Sequence, residues 1–128
     1  MAYLVHPELS YQVVGILYEA HNEVSRFSSE QEIGDIIALR LKIVGIPFVR
    51  EFNLQPIHRG EHNGRHRVDF LIEDKIVLEI KTKKFLTKED YYQVQRYLKH
   101  LNLKLGILVN FRDERLHPKR ILNSVGKE

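Results

Sequence analysis

Val68-Asp69-Phe70-Leu71-Ile72 and, after Glu73-Asp74-Lys75, Ile76-Val77-Leu78-Glu79-Ile80-Lys81 place an aspartate in one apolar run and a Glu-x-Lys in the next. Two short runs rich in branched residues and separated by a polar break read as paired strands. Charged groups inside such runs cost folding free energy unless they find partners, so the pattern points to a metal-binding hydrolytic site.

Side chains alternate along a strand, so Val77, Glu79, Lys81 and Lys83 share one face, while Ile76, Leu78, Ile80 and Thr82 share the other. This parity predicts chemistry on one side of the sheet and core on the other. A hairpin closed by the loop Glu73-Asp74-Lys75 sets Asp69 opposite Glu79. Two carboxylates so close repel each other at neutral pH unless a proton or a cation intervenes, and hard oxygen donors on a rigid sheet suit Mg²⁺ or Mn²⁺. The plainer alternative is a solvated face of an antiparallel sheet, with Glu79 and Lys81 in ordinary salt bridges.

Outward from this pair, Leu9, Val13, Leu17, Ala20 and Val24 recur at helical spacing from about Pro7, and Pro7 and Glu8 suit a first turn. Ser29 with Glu32 forms a capping box for a second helix, whose stripe of Ile33, Ile36, Ile37, Leu41 and Val44 ends at Gly45. Residues Pro47 to Ile57 read as extended, and Asn63-Gly64 marks a turn before the strand beginning near Arg65. Thr87 caps a third helix, predicted to turn Tyr91, Val94, Leu98 and Leu101 to the core and Gln93, Arg96, Tyr97 and His100 away from it. Leu105 to Phe111 is a continuous apolar run, as expected for a strand buried on both faces, and a polar, basic tail follows from Arg112. The predicted order is ααβββαβ: an α/β (α+β) fold with a mixed sheet flanked by helices.

The 128 residues suffice for one domain spanning 1–128 with a sizeable core. Cysteine is absent, which removes disulfides and thiolate zinc sites, and no stretch resembles a signal peptide or approaches a membrane span. An intracellular, cytoplasmic protein fits these features. A formal net charge of +3 permits an anionic partner without requiring one.

Antiparallel strands, a helix and a returning buried strand, with Asp on the second strand and Glu-x-Lys on the third, resemble the PD-(D/E)XK nuclease superfamily. Nearly the whole chain resembles the GxxExxY family of small bacterial proteins within it. The matching stretches are Leu9 to Val24 with His21 and Glu23, Arg67-Val68-Asp69, Val77 to Lys81, Gln93 to Lys99 and Leu103 to Phe111. Gln93-x-x-x-Tyr97 is similar to the signature of RecB-type nucleases. The GxxExxY glutamate falls on Glu30, while Phe27 and Ile33 stand where that family carries glycine and tyrosine.

The resemblance implies a restriction-endonuclease-like core hydrolysing phosphodiester bonds in DNA, or less readily RNA. It further implies that Asp69, Glu79 and the backbone carbonyl of Ile80 bind one or two Mg²⁺ or Mn²⁺ ions, with Glu30 as an added ligand. Lys81 would orient the attacking water or stabilise transition-state charge. Gln93 and Tyr97, one helical turn apart, would position substrate or water. Each has a plainer reading: a helix-dipole role for Glu30, a salt bridge for Lys81, solvation for Gln93 and core packing for Tyr97. Arg65 and Arg67 on one side and Lys83, Lys84 and Lys88 on the other offer phosphate contacts, or else an ordinary charged surface.

His58, His62 and His66 recur at four-residue spacing, yet Gly60, Asn63 and Gly64 speak for a hairpin rather than a zinc-binding helix. His21 is expected to pack or hydrogen-bond within the first helix. The competing function is a catalytically weak nuclease-fold module that binds nucleic acid or a protein partner, which the altered residues around Glu30 favour. The paired acids favour the enzyme. A homodimer, including one formed through the first helix, is a further expectation.

Overall fold

A computed structural model of the chain describes residues 4–54 and 66–123. Along the chain lie helices α1 (Pro7–Glu23) and α2 (Glu30–Val44), strands β1 (Phe48–Asn53), β2 (Arg67–Ile72) and β3 (Ile76–Lys81), helix α3 (Lys88–Leu101), and strands β4 (Leu105–Asn110) and β5 (Lys119–Leu122). The five strands form one sheet in the order β1-β2-β3-β4-β5, antiparallel throughout except for the parallel pair β3–β4. The chain crosses between those two strands through α3, because a parallel pair cannot be joined by a tight turn.

Local chemistry sets the ends of the elements. In α2 the Ser29 hydroxyl accepts from the Glu32 N–H and the Glu32 carboxylate accepts from the Ser29 N–H, both at 3.1 Å, while Gly45 closes the helix at φ +77°. Such a cap is worth about 1 kcal/mol. Between β2 and β3, Glu73 and Asp74 both take positive φ, and pairing runs Phe70–Leu78, Leu71–Val77 and Ile72–Ile76. That is the register predicted from the three-residue loop.

Both faces of the sheet are covered. Phe70, Ile72, Ile76, Leu78, Ile80 and Ile107 pack beneath α1 and α2. On the opposite face Val68, Val77, Leu108 and Ile121 pack beneath Val94, Tyr97 and Leu98 of α3. The division into a core face and a chemical face is therefore corrected: Glu79 and Val77 share a side, and α3 buries it. β4 is buried at every position, as a central strand between two layers must be.

Two further expectations change. The chain from Arg112 is no simple tail, since Lys119–Leu122 adds β5 antiparallel to β4 and buries Ile121. In α3 the inward residues are Asp90, Val94, Tyr97 and Leu98, and Tyr91 is exposed. The buried Asp90 explains this rotation. Its carboxylate accepts from the Thr87 N–H at 2.7 Å and from Lys83 Nζ at 2.9 Å. Burial pushes its pKa up, but the Thr87 and Lys83 bonds outweigh that and hold it below the ordinary value. No described helix is long and apolar enough to cross a membrane.

Candidate active site at the β2–β3 fork

The ladder between β2 and β3 stops at Phe70–Leu78, and beyond it the strands are joined by side chains. The Asp69 N–H donates to Glu79 Oε1 at 3.0 Å, and the Ile80 N–H donates to Asp69 Oδ2 at 2.8 Å. On the other side of β2 the ladder with β1 runs Arg50–Phe70 and Phe52–Val68, skipping the Glu51–Asp69 position, where Glu51 has φ +56°. Asp69 thus sits where regular pairing gives way on both sides.

Glu79 is 3% exposed and Lys81 Nζ lies 3.7 Å from its Oε2. The same ammonium donates to Gln93 Oε1 at 2.7 Å, which ties β3 to α3. Burial, then the neighbouring charge of Asp69, pushes the Glu79 pKa up to about 8, against the pull of the Asp69 N–H and of Lys81. Burial likewise raises Asp69, with the Ile80 N–H and Lys81 opposing. Glu30, in the first turn of α2, is raised by burial and then by the charge of Asp69, which sets it in the same electrostatic environment. Glu30, Arg50, Arg67, Asp69 and Ile80 line one cavity of about 230 Å³.

Tyr97 is buried, contrary to its predicted outward face, and its hydroxyl belongs to the same field. Burial, followed by the charges of Glu79 and Asp69, pushes its pKa to about 12, so it remains a neutral phenol at physiological pH. The Lys83 ammonium is ion-paired with Asp90 at 2.9 Å. Lys84 lies against the Phe85 ring, and Lys88 is exposed at the start of α3. The His21 Nε2–H donates to the Asp113 carbonyl at 2.8 Å, and the ring packs edge-on against Phe111. Arg65, His58, His62 and the Asn63-Gly64 turn lie outside the described residues, and the His66 carbonyl accepts from the Leu54 N–H.

A family model for the PD-(D/E)XK nuclease superfamily matches residues 7–121. The chain belongs to this superfamily. Neither curated proteins nor solved structures give a match. Divalent metals are in general use in the PD-(D/E)XK superfamily. Among the described residues no three acidic or histidine side chains gather into a metal-holding group. The donors at the fork nevertheless fit such an ion, since Mg²⁺ commonly takes one or two carboxylates and completes its shell with water and substrate phosphate. Burial raises both carboxyls, and the opposing charge of Lys81 does not offset it. The N–H and C=O of a strand residue point to the same neighbouring strand, so the Ile80 carbonyl also faces the fork.

Residues that the sequence reading missed surround this PD-(D/E)XK fork. Arg50 donates to Asp35 at 2.6 Å and to the Gln31 carbonyl at 3.2 Å, fixing the first turns of α2, and hence Glu30, against β1. A Cβ on Gly34 would come within 2.4 Å of the Arg50 guanidinium, so this glycine makes room for it. Buried Asn110 accepts from the Lys83 N–H and donates to the Lys83 carbonyl, holding the chain just after Lys81. A polar residue closing the apolar run Leu105–Val109 was the available signal for Asn110. Arg50 had none, because its partners are set by tertiary packing.

Proposed function

We propose that the chain is a divalent-metal-dependent nuclease that hydrolyses phosphodiester bonds in DNA, of the GxxExxY type with a RecB-like Gln93–Tyr97 pair. The reading rests above all on half-buried Asp69 and buried Glu79, two acids held against their mutual repulsion beside Lys81. A module that only binds has no use for such a pair.

Asp69, Glu79 and the Ile80 carbonyl are the residues that would hold Mg²⁺ or Mn²⁺, with Glu30 close enough in charge to contribute. When bound, the ion lowers the pKa of water and offsets charge on the scissile phosphate. Lys81 presents its ammonium to the phosphoryl oxygens as negative charge builds there, and Gln93 fixes its direction. Such fixed charge typically supplies about 10²- to 10³-fold in rate. The Tyr97 phenol stays protonated and acts as a hydrogen-bond donor rather than a nucleophile. Arg67, at the cavity wall, meets the phosphate backbone beside the scissile bond.

Labelled single-stranded, duplex and branched DNA incubated with Mg²⁺, Mn²⁺ or EDTA test the reading. Cleavage of at least one form only with metal is expected. Intact DNA in every metal-containing reaction would contradict it.

A further inference from the structure

Helix α3 and the segment before it carry an exposed aromatic and basic surface that hydrolysis itself does not use. Phe85, Tyr91 and Tyr92 lie within eight residues and are 71%, 37% and 48% exposed. Tyr91 and Tyr92 join Leu86, Lys88, Gln95 and Lys119 around a shallow groove between α3 and β5. Lys84 holds its ammonium 5.7 Å from the Phe85 ring centroid. Among the described residues none of Lys84, Lys88 and Lys119 is ion-paired. The nearby acids are spoken for: Asp90 by Lys83, and Glu89 by Arg96 at 4.0 Å.

Exposed apolar rings usually need covering, and the uncompensated charge around these says what covers them. Flat rings interleaved with lysines match a strand whose bases offer π-faces and whose backbone offers phosphates. In a duplex those faces are already stacked, so only unpaired bases can use the rings. The surface is also continuous with the fork in sequence: Phe85 follows Lys81 by four positions, and Tyr92 precedes Gln93, which binds Lys81.

We propose that this surface binds single-stranded DNA, stacking bases on Phe85, Tyr91 and Tyr92 while Lys84, Lys88 and Lys119 meet phosphates. The proposal rests on the nucleic-acid reading above and narrows it: the substrate has an unpaired segment beside the cut.

The test is fluorescence anisotropy of labelled oligo-dT, a blunt duplex of equal length and oligo-U, in EDTA so that nothing is cut. The native protein is expected to bind oligo-dT tighter than either competitor. Phe85→Ala and Tyr92→Ala are each expected to weaken oligo-dT binding by about 5- to 150-fold, the loss of one stacked base. Tyr92→Trp should keep the affinity, and its fluorescence should be quenched by oligo-dT in a chain that otherwise has no tryptophan. These rings are exposed, so their loss leaves the core intact. Native-like oligo-dT binding by both alanine variants, or a preference for duplex or oligo-U, overturns the proposal. If that happens while metal-dependent cleavage persists, the nuclease reading stands alone. If binding follows the rings but no DNA is cut, the surface stands and the nuclease reading falls.

Discussion

Asp69 and Glu79 each stand in for a rung of the sheet: Glu79 accepts from the Asp69 N–H, and Asp69 accepts from the Ile80 N–H one residue beyond Glu79. The carboxylates at the fork are therefore structural as well as chemical. Truncating either leaves a buried N–H without its acceptor, which costs about 1–3 kcal/mol. Asp69→Asn and Glu79→Gln keep an acceptor oxygen and are expected to stay folded, whereas Asp69→Ala should lower Tm by several degrees. Thermal denaturation of the three variants in EDTA checks this.

Glu79 also gives the metal-free protein a pH-dependent stability. Its pKa rises from the usual 4.5 to about 8 on folding, so the folded state binds the extra proton. The resulting stabilisation is fully present below 4.5 and is lost as pH climbs to and through about 8, a change on the order of a few kcal/mol. The raised Asp69 acts with the same sign. Urea denaturation in EDTA from pH 5 to 9 should show stability falling in the native protein and a flatter profile in Glu79→Gln. Equal slopes would place the proton elsewhere.

A cation that replaces this proton should stabilise the fold. Near neutral pH, Mn²⁺ at 100 times its Kd is expected to add about 2.7 kcal/mol, read as a rise in Tm, and Asp69→Asn should abolish the rise. Affinity should increase with pH as the metal and the Glu79 proton compete. A Tm indifferent to Mn²⁺ in the native protein would argue against an ion at the fork.

Gly106 lets α3 sit close to the sheet. A Cβ there would lie 2.5 Å from Val94 Cγ1, deep in the layer beneath α3. Gly106→Ala is expected to cost about 1–3 kcal/mol by overpacking. It should also loosen the Gln93–Lys81 bond and so reduce cleavage more than binding. Denaturation and cleavage measured on the same preparation separate the two effects.

Glu51 holds φ +56° across from Asp69, a backbone state costing a non-glycine residue about 1 kcal/mol or more. Glu51→Gly is therefore expected to leave stability unchanged or raise it by up to about 1 kcal/mol. A clear loss would mean that the Glu51 side chain contributes contacts of its own.

The hairpin was legible because its two runs and its loop are adjacent in the chain, and the register follows from counting: Asp69 falls opposite Glu79 whatever the rest of the fold does. The helix caps at Ser29–Glu32 and Gly45 are local in the same way. The second core was hidden because Val77 alternates with Glu79 and Lys81, and two charged neighbours look like a wet face unless one knows that α3 covers them. The rotation of α3 was misread because spacings beginning at Tyr91 and at Asp90 both fit a helix. An aspartate goes inside only when a cap and Lys83 satisfy it. Strand β5 carries one buried residue, Ile121, too little to show a period. Arg50 fixes Glu30 by bonding the first turns of α2, a tertiary relation with no trace in nearby sequence.

The most direct test compares initial rates of metal-dependent DNA cleavage by the native protein, Lys81→Ala and Asp69→Asn, each first confirmed folded by its thermal transition. Losses of about 100-fold or more in both variants, with Mg²⁺ or Mn²⁺ required throughout, are predicted. Variants that cut as fast as the native protein would contradict the assignment of the fork as the site of hydrolysis.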